Sequence, residues 1–472
     1  MSELKIDSLN EYHWTPQPQA AKWVKLALDT AISRLPWARA FAARLSDEAG
    51  CRLIDLVDTI SVHPDSKRMA DAIAAGWVPS HDDATYTTHE HRGGLFPTLA
   101  GCEDIANDEV RVSLKVECVA TFLAVNDLNV EIVGRPLAPY RYAIVESNSG
   151  QALFMVSQRH GRTGFDTTGG PEPVDVLEVF ESFLTRQRDF DSEAEAFRNV
   201  DALVDIAVKR IGRDYACDRF FAAEREYWQK RNRAAQFQKS RQDRLGIGWA
   251  NHDHHTYRSS REHFKSLVAL WEKLGLVCRE RFYAGIEAGW GAQVMEHPVT
   301  KIITFNDVDL SPEELMGDFS HDGLLASTEL KTVGLWCGLH GEAASLAGMH
   351  HLEGTFDFVN LRDQMERDAN IRTMKPFTDF PYLKQAFTEG ERWAVQEKRV
   401  SVLLAKKLIT LEQANMFRRE GAIGSHLENL ERNDGFKGFN QKGVSEIIAA
   451  TDPRRQAALG AFETVNYKTI GS

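Results

Sequence analysis

Apolar positions recur at helical spacing from about Ala21 to Ala49, at Trp23, Val24, Leu26, Ala27, Ile32 and Leu35, then at Phe41, Ala42 and Leu45. Pro36 divides this run into two helices. A third helix is predicted from Lys67 to Ala75, stopping at Gly76. Ala84–Arg92 is rich in strand formers and is broken by Gly93-Gly94. A short helix is expected to start near Ile105–Asn107, while Val110–Val125 is dense in β-branched residues and fits neither period. Strands are expected at Asn129–Val133, Tyr140–Glu146 and Gln151–Gln158, with Gly150 turning the last pair. Strand, helix and three strands make one βαβββ module.

Pro171 to Asp243 changes character: it is long, charged and helical in period, and reads as a solvated connector. A second round then begins. The strand Asn251–Arg258 leads into a helix with Phe264, Leu267, Val268, Leu270, Trp271 and Leu274 on one face, closed by Gly275. Strands follow at Val277–Tyr283, Gly291–Glu296 and Lys301–Phe305. Ser311–Phe380 shows no clear period, Tyr382–Glu420 is helical, and Gly421–Arg432 is strand-like before a tail with one helix. The expected fold is α+β, with paired βαβββ modules and large helical insertions. Its parts are a helical segment at 1–80, a first module at 81–170, a connector at 171–248, a second module at 249–310, an insertion at 311–420, and a Glu-bearing strand with the tail at 421–472.

The chain of 472 residues is long enough for two or three domains. Its net charge of −12 argues against a nucleic-acid surface. The six cysteines lack metal-site spacing and read as free thiols. No apolar run is long enough for a membrane span, so a cytoplasmic protein is expected.

Chemistry concentrates in Asn251-His252-Asp253-His254-His255-Thr256-Tyr257-Arg258. On a strand, His252, His254, Thr256 and Arg258 share a face. Two imidazoles one strand-step apart, with an arginine beside them, suit a metal centre next to an anion-binding group. Two histidines and one carboxylate brought together from separate strands would make a facial triad of the kind non-heme Fe(II) oxygenases use. There is no H-E-x-x-H, G-x-S-x-G, phosphate-loop or dinucleotide fingerprint.

His254-His255-Thr256-Tyr257-Arg258 resembles the H-x-T-x-R strand of the 2-oxoadipate dioxygenase/decarboxylase family, within the vicinal oxygen chelate superfamily. Gly424-Ser425-His426, with Glu428 and Arg432 downstream, resembles that family's G-S-H segment, and Lys442-Gly443 its lysine-glycine pair. Thr88-His89 resembles the first-module histidine strand more loosely. The resemblance implies a metal-centred curved sheet with His89, His254 and Glu428 as ligands to Fe(II). It also implies a 2-oxo acid that chelates the metal, loses CO₂ and is hydroxylated with O₂. Two departures stand out. His254 and Glu428 lie 174 residues apart (428 − 254), and Arg92 follows His89 by only three positions.

Several assignments stay open in the sequence. His91 competes with His89 as first-module ligand, and Glu296 competes with Glu428 as the carboxylate. Arg258, Arg432 and Arg92 are candidates for a substrate carboxylate, or for salt bridges, and His252 for a neighbouring contact. His350, His351 and Glu353 form another cluster, which nothing else in the chain ties to a metal. The alternatives to a dioxygenase are a metal-dependent isomerase or hydrolase, or a non-catalytic protein that sequesters a small ligand.

Overall fold

A computed structural model describes residues 14–82, 86–286, 288–327, 329–440 and 452–455. Its helices are α1 (Pro18–Ser33), α2 (Pro36–Ala49), α3 (Lys67–Ala74), α4 (Val119–Val125), α5 (Pro173–Thr185), α6 (Glu193–Ile211), α7 (Arg213–Gln229), α8 (Arg233–Arg244), α9 (Phe264–Lys273), α10 (Thr332–His340), α11 (Phe358–Ala369), α12 (Glu397–Ala405) and α13 (Leu411–Glu420). Pro36 does start α2, and Ser66 caps α3 by accepting from the Met69 N–H at 3.2 Å.

Two mixed sheets carry the architecture. The first holds β1 (Val57–Val62), β2 (Trp77–Asp82), β3 (Tyr86–His91), β4 (Thr98–Cys102), β5 (Val110–Lys115), β6 (Tyr140–Asn148) and β7 (Ala152–Arg159), in the order β2-β3-β4-β1-β5-β7-β6. The second holds β8 (His252–Arg258), β9 (Val277–Tyr283), β10 (Trp290–Glu296), β11 (Ile303–Asp309), β12 (His351–Thr355), β13 (Thr378–Phe380), β14 (Leu383–Phe387), β15 (Glu391–Trp393) and β16 (Ala422–Arg432). Its order is β13-β14-β16-β12-β8-β11-β10-β9, with β15 on β16.

Each sheet is a pair of βαβββ modules joined by their first strands. In the second sheet, β8-α9-β9-β10-β11 forms one module, closed by parallel β8 and β11. The other is β12-α11-β13-β14-β16, closed by parallel β12 and β16, and β8 meets β12 antiparallel. In the first sheet β1-α3-β2-β3-β4 repeats the plan. Its mate runs β5-α4-β6-β7, with the remaining strand reduced to a single bridge from Val133 to Tyr142.

The register reveals a local two-fold in the second sheet. His254 pairs with Ile303 and Thr256 with Phe305 across β8 and β11. His351 pairs with His426 and Glu353 with Glu428 across β12 and β16. The facing pair His255 and Leu352 marks the axis, so a shift of 97 residues (351 − 254, 353 − 256) carries one module's first strand onto the other's.

The sequence boundaries differ from this plan in identifiable places. The first sheet starts at β1, before residue 81, and draws two modules from the stretch read as one. The helix expected near Ile105–Asn107 is a turn; the helix is α4, and the ambiguous Val110–Val125 splits into β5 and α4. The stretch 311–420, read as an insertion, supplies β12, α11, β13 and β14. The helices at 173–244 are not a solvated connector. Phe220, Phe221, Trp228, Gln238 and Gln242 are buried on α7 and α8, and the buried Glu224 accepts from Arg186 at 2.8 Å and Arg188 at 2.5 Å. A stretch read as solvated is instead packed inside, with Phe221 against His255 and Tyr257 of β8 and its buried charge paired. The predicted tail helix and the Lys442-Gly443 pair lie outside the described residues.

α9 forms as the periodicity predicts, with Phe264, Leu267 and Trp271 fully buried. Each such side chain contributes about 1.5–3 kcal/mol on burial. Gly275 ends it at φ +97°, where a Cβ would also stand 2.8 Å from the His297 ring. All six cysteines are free. Among the described residues no helix is long and apolar enough to cross a membrane.

Candidate metal centre

The joined first strands β8 and β12, with β16 beside β12, place His254, Glu353 and Glu428 together. All three are buried, and one potential ligand atom from each lies within 4.8 Å of the others. His254 Nε2 is 2.8 Å from Glu353 Oε1, and His351 Nε2 is 2.8 Å from the same oxygen and 3.6 Å from Glu428 Oε2. Thr256 Oγ1 donates to Glu353 Oε1 at 3.1 Å, and Gln385 Nε2 donates to Glu428 Oε1 at 2.8 Å.

His254 is held from behind. Its Nδ1 lies 2.7 Å from Asp253 Oδ2, and Asp253 accepts two hydrogen bonds from Arg432 at 3.0 Å each. Burial alone would raise the Asp253 pKa, but Arg432 and His254 outweigh it and hold the carboxylate well below its usual range. An ionised Asp253 fixes the proton on Nδ1, so Nε2 offers its lone pair to the centre. Burial also lowers the His254 pKa, with Asp253 opposing, which favours a neutral imidazole.

The carboxylates behave as a pair short of a cation. Burial pushes Glu428 up to about 7. Burial, reinforced by the neighbouring Glu428, drives Glu353 well above the carboxylate range. Glu353 Oε2 and His351 Nδ1 are buried without a hydrogen-bond partner. Lone pairs from one imidazole and two carboxylates facing a common point, in a dry site, suit a divalent metal. His254, Glu353 and Glu428 would hold it, with His351 at its edge.

A cavity of about 60 Å³ adjoins these residues. Phe282, Trp290, Phe305, Phe377, Phe387 and Phe439 wall it. Arg258, two strand-steps beyond His254, also lines it. Among the described residues Arg258 donates one hydrogen bond, a long one of 3.4 Å from Nε to Asp307 Oδ2. Burial pushes Asp307 up to about 7 against the pull of Arg258. The guanidinium is therefore weakly neutralised and faces a small, mostly apolar chamber.

Other residues singled out in the sequence stand elsewhere. His89 is on β3 of the first sheet, outside the cluster, and its lowered pKa reflects burial alone. The structure thus brings His254 and Glu428 together and supplies Glu353, not His89, as the third group. His91 packs its ring against Trp77 and Phe96. Arg92 is exposed and pairs with Glu90. Glu296 is held by Arg279 at 3.1 Å and Lys437 at 2.8 Å. Arg432 is committed to Asp253 and to the carbonyls of Phe436 and Gly438, so it positions His254 and is not free for a substrate. His252 does not share the cavity face with His254; its ring packs on His255 at 5.2 Å, toward another cavity.

The G-S-H segment is explained by packing. A Cβ on Gly424 would fall 2.0 Å from the Trp393 ring, Ser425 Oγ accepts from Asn232, and His426 Nδ1 lies 2.9 Å from the Thr388 carbonyl. The sequence set Glu353 in a separate cluster and did not join it to His254 and Glu428, as the structure does. The signal was present: His351-x-Glu353 repeats the His254-x-Thr256 step on a strand.

No protein-family model and no curated protein sequence matches the chain. Among solved structures, it is similar to a glyoxalase-superfamily protein from Ralstonia eutropha, at 10% identity over 56% of this chain and 96% of that one, with a TM-score of 0.31. It is also similar to a mutant 4-hydroxymandelate synthase from Streptomyces coelicolor, at 12% identity over 85% and 98%, with a TM-score of 0.25. A third is a xylose isomerase-like TIM barrel/4-hydroxyphenylpyruvate dioxygenase fusion protein, at 9% identity over 88% and 54%, with a TM-score of 0.24. Likenesses of this strength carry no statement about activity; the paired βαβββ modules of vicinal oxygen chelate type rest on the strand order and register.

Proposed function

We propose that this chain is a metal-dependent enzyme that uses Fe(II) and O₂ to oxidise a small 2-oxo acid, with His254, Glu353 and Glu428 holding the metal. The observation that supports it is the convergence of these three buried groups beside Arg258 in a chamber walled by aromatic rings. Bound there, the metal would supply Lewis acidity and redox chemistry. The chain's own residues do the rest. Arg258 offers a guanidinium fork to the substrate carboxylate. The six aromatic rings exclude water, which strengthens every charge interaction inside. Asp253 and Arg432 fix the His254 ring, and Gln385 fixes Glu428. Glu353 holds a proton in the absence of a cation and surrenders it when one binds.

A second reading has its own support. Two carboxylates in place of one would neutralise a divalent cation and leave Glu353 able to accept or return a proton near the substrate. That arrangement suits a metal-dependent isomerase or hydrolase. Anaerobic purification with metal analysis, followed by an oxygen-electrode screen of 2-oxo acids, separates the two. Iron with substrate-dependent O₂ uptake is expected. Full activity with zinc or nickel and no O₂ uptake would favour the second reading, and stoichiometric ligand binding without turnover would refute both.

A further inference from the structure

A second cavity, of about 150 Å³, lies where β5 of the first sheet, α7 and β8 of the second sheet meet. Its lining is charged and mostly cationic. Asp58 is taken by Arg159 at 2.8 Å, Asp218 by Arg219, and Glu117 by Lys239 at 3.4 Å from outside the cavity. Three lining cations are left without a carboxylate: Lys115, Arg225 and Lys301.

Lys115 makes no hydrogen bond or ion pair among the described residues, and burial lowers its pKa against the opposing field of Asp58. Arg225 is only 5% exposed; its Nη1 meets His255 Nε2 at 3.1 Å, and its Nε has no partner. His252 adds an imidazole whose buried Nδ1 is also unpartnered. Arg225 is buried and Lys115 half-buried; cations withdrawn from water without counter-charges are costly, and a cavity between them is where a counter-charge fits. The lining shares Asp58, Lys115, His252 and Lys301 with a cleft of about 1120 Å³, which gives a ligand access.

We infer that this cavity is a binding site for a small, multiply charged oxyanion, held by Lys115 and Arg225 with Lys301 at its mouth. A phosphate group or a short dicarboxylate has the charge and the size for it. The site is separate from the metal centre and does not depend on the activity proposed there.

The test uses the full chain and two probes, inorganic phosphate and succinate, at constant ionic strength against chloride. Calorimetric titration and thermal melting read the result. One probe is expected to bind saturably with near-unit stoichiometry and to raise Tm; which one does so distinguishes a phosphate ligand from a dicarboxylate. Lys115→Met is expected to weaken binding roughly tenfold or more. Its ligand-free Tm should not fall, because a half-buried cation with no ion-pair partner has been removed. Arg225→Met is expected to weaken binding similarly, and Lys115→Met keeps the test decisive should Arg225→Met not fold. His254→Ala is expected to bind as the wild type does. Saturable binding by neither probe, or unchanged affinity in Lys115→Met, overturns the inference; so does loss of binding in His254→Ala.

Discussion

Asp253→Asn tests the link between the scaffold and the metal centre. The Asp253 carboxylate accepts two hydrogen bonds from Arg432 at 3.0 Å and faces His254 Nδ1 at 2.7 Å, with all three side chains at most 6% exposed. Asparagine keeps the shape but loses the charge, and its one carbonyl oxygen cannot replace two carboxylate oxygens. Its NH₂ must then face either Arg432 or His254, donor against donor or against a reset tautomer. Breaking a buried ion pair from one side costs about 3–5 kcal/mol. Arg432 keeps the carbonyls of Phe436 and Gly438, which places the expected loss near 3 kcal/mol. Outer partners of a ligating histidine are typically worth ~10–100-fold in metal affinity. That is about 1.4–2.7 kcal/mol at 1.36 kcal/mol per decade. Denaturant titration reads the first quantity, and chelator competition with Mn(II) or anaerobic Fe(II) reads the second. A folded Asp253→Asn protein that binds metal within twofold of wild type would show that Asp253 does not orient the ligand.

Glu353→Ala and Glu428→Ala are each expected to abolish stoichiometric metal binding, whereas His89→Ala and Glu296→Gln retain it; metal analysis showing the opposite pattern would move the centre. Arg258→Lys is expected to raise KM for an anionic substrate about tenfold with a smaller change in kcat, because the ammonium cannot form the bidentate fork; an unchanged KM would remove Arg258 from substrate binding. Glu428 at about 7, against 4.5 unfolded, means that the metal-free folded chain holds protons the unfolded chain has released. Stability without metal is therefore expected to fall as pH rises from about 5 to 7, and metal binding near neutrality to release protons, seen as a buffer-dependent calorimetric enthalpy. A buffer-independent enthalpy would contradict it. Glu224→Gln is expected to destabilise the chain by about 3–5 kcal/mol through the stranded Arg186 and Arg188, with metal affinity unchanged; a denaturation midpoint equal to wild type would refute it.

The parts of this fold legible in sequence were those with a strong local period. The amphipathic faces of α1, α2 and α9 and the histidine-rich run of β8 are written in consecutive residues. β12 was not legible, because His351–Thr355 is five residues, four of them buried, and shows no alternation. A strand covered on both sides loses the period that identifies it. The burial of α7 was hidden for a related reason. Its charges are neutralised by partners such as Arg186 and Arg188, outside the helix and invisible to any window along it. His254 and Glu428 stood out through a short motif, whereas Glu353 needed the register of β12 with β16.

The local two-fold explains why the centre is lopsided. The shift that carries His254 to His351 also carries Thr256 to Glu353, and the matching cross-strand positions pair Phe305 with Glu428. Each module thus offers an imidazole at one position, but carboxylates come from the β12 module alone. The β8 module answers with a hydroxyl, which bonds Glu353, and an aromatic ring, which walls the cavity. A symmetric pair carrying four carboxylates around one cation would be overcharged. A pair carrying none would have no anionic ligand. Splitting the roles leaves the β12 module to supply both carboxylates and the β8 module to add His254, much of the aromatic wall and, through Arg258, the positive charge. On this argument Thr256→Glu would add a third carboxylate and raise the metal-free centre's proton uptake, while Phe305→Ala would enlarge the chamber without removing metal; tight metal binding lost in Phe305→Ala would mean the modules do not divide the work this way.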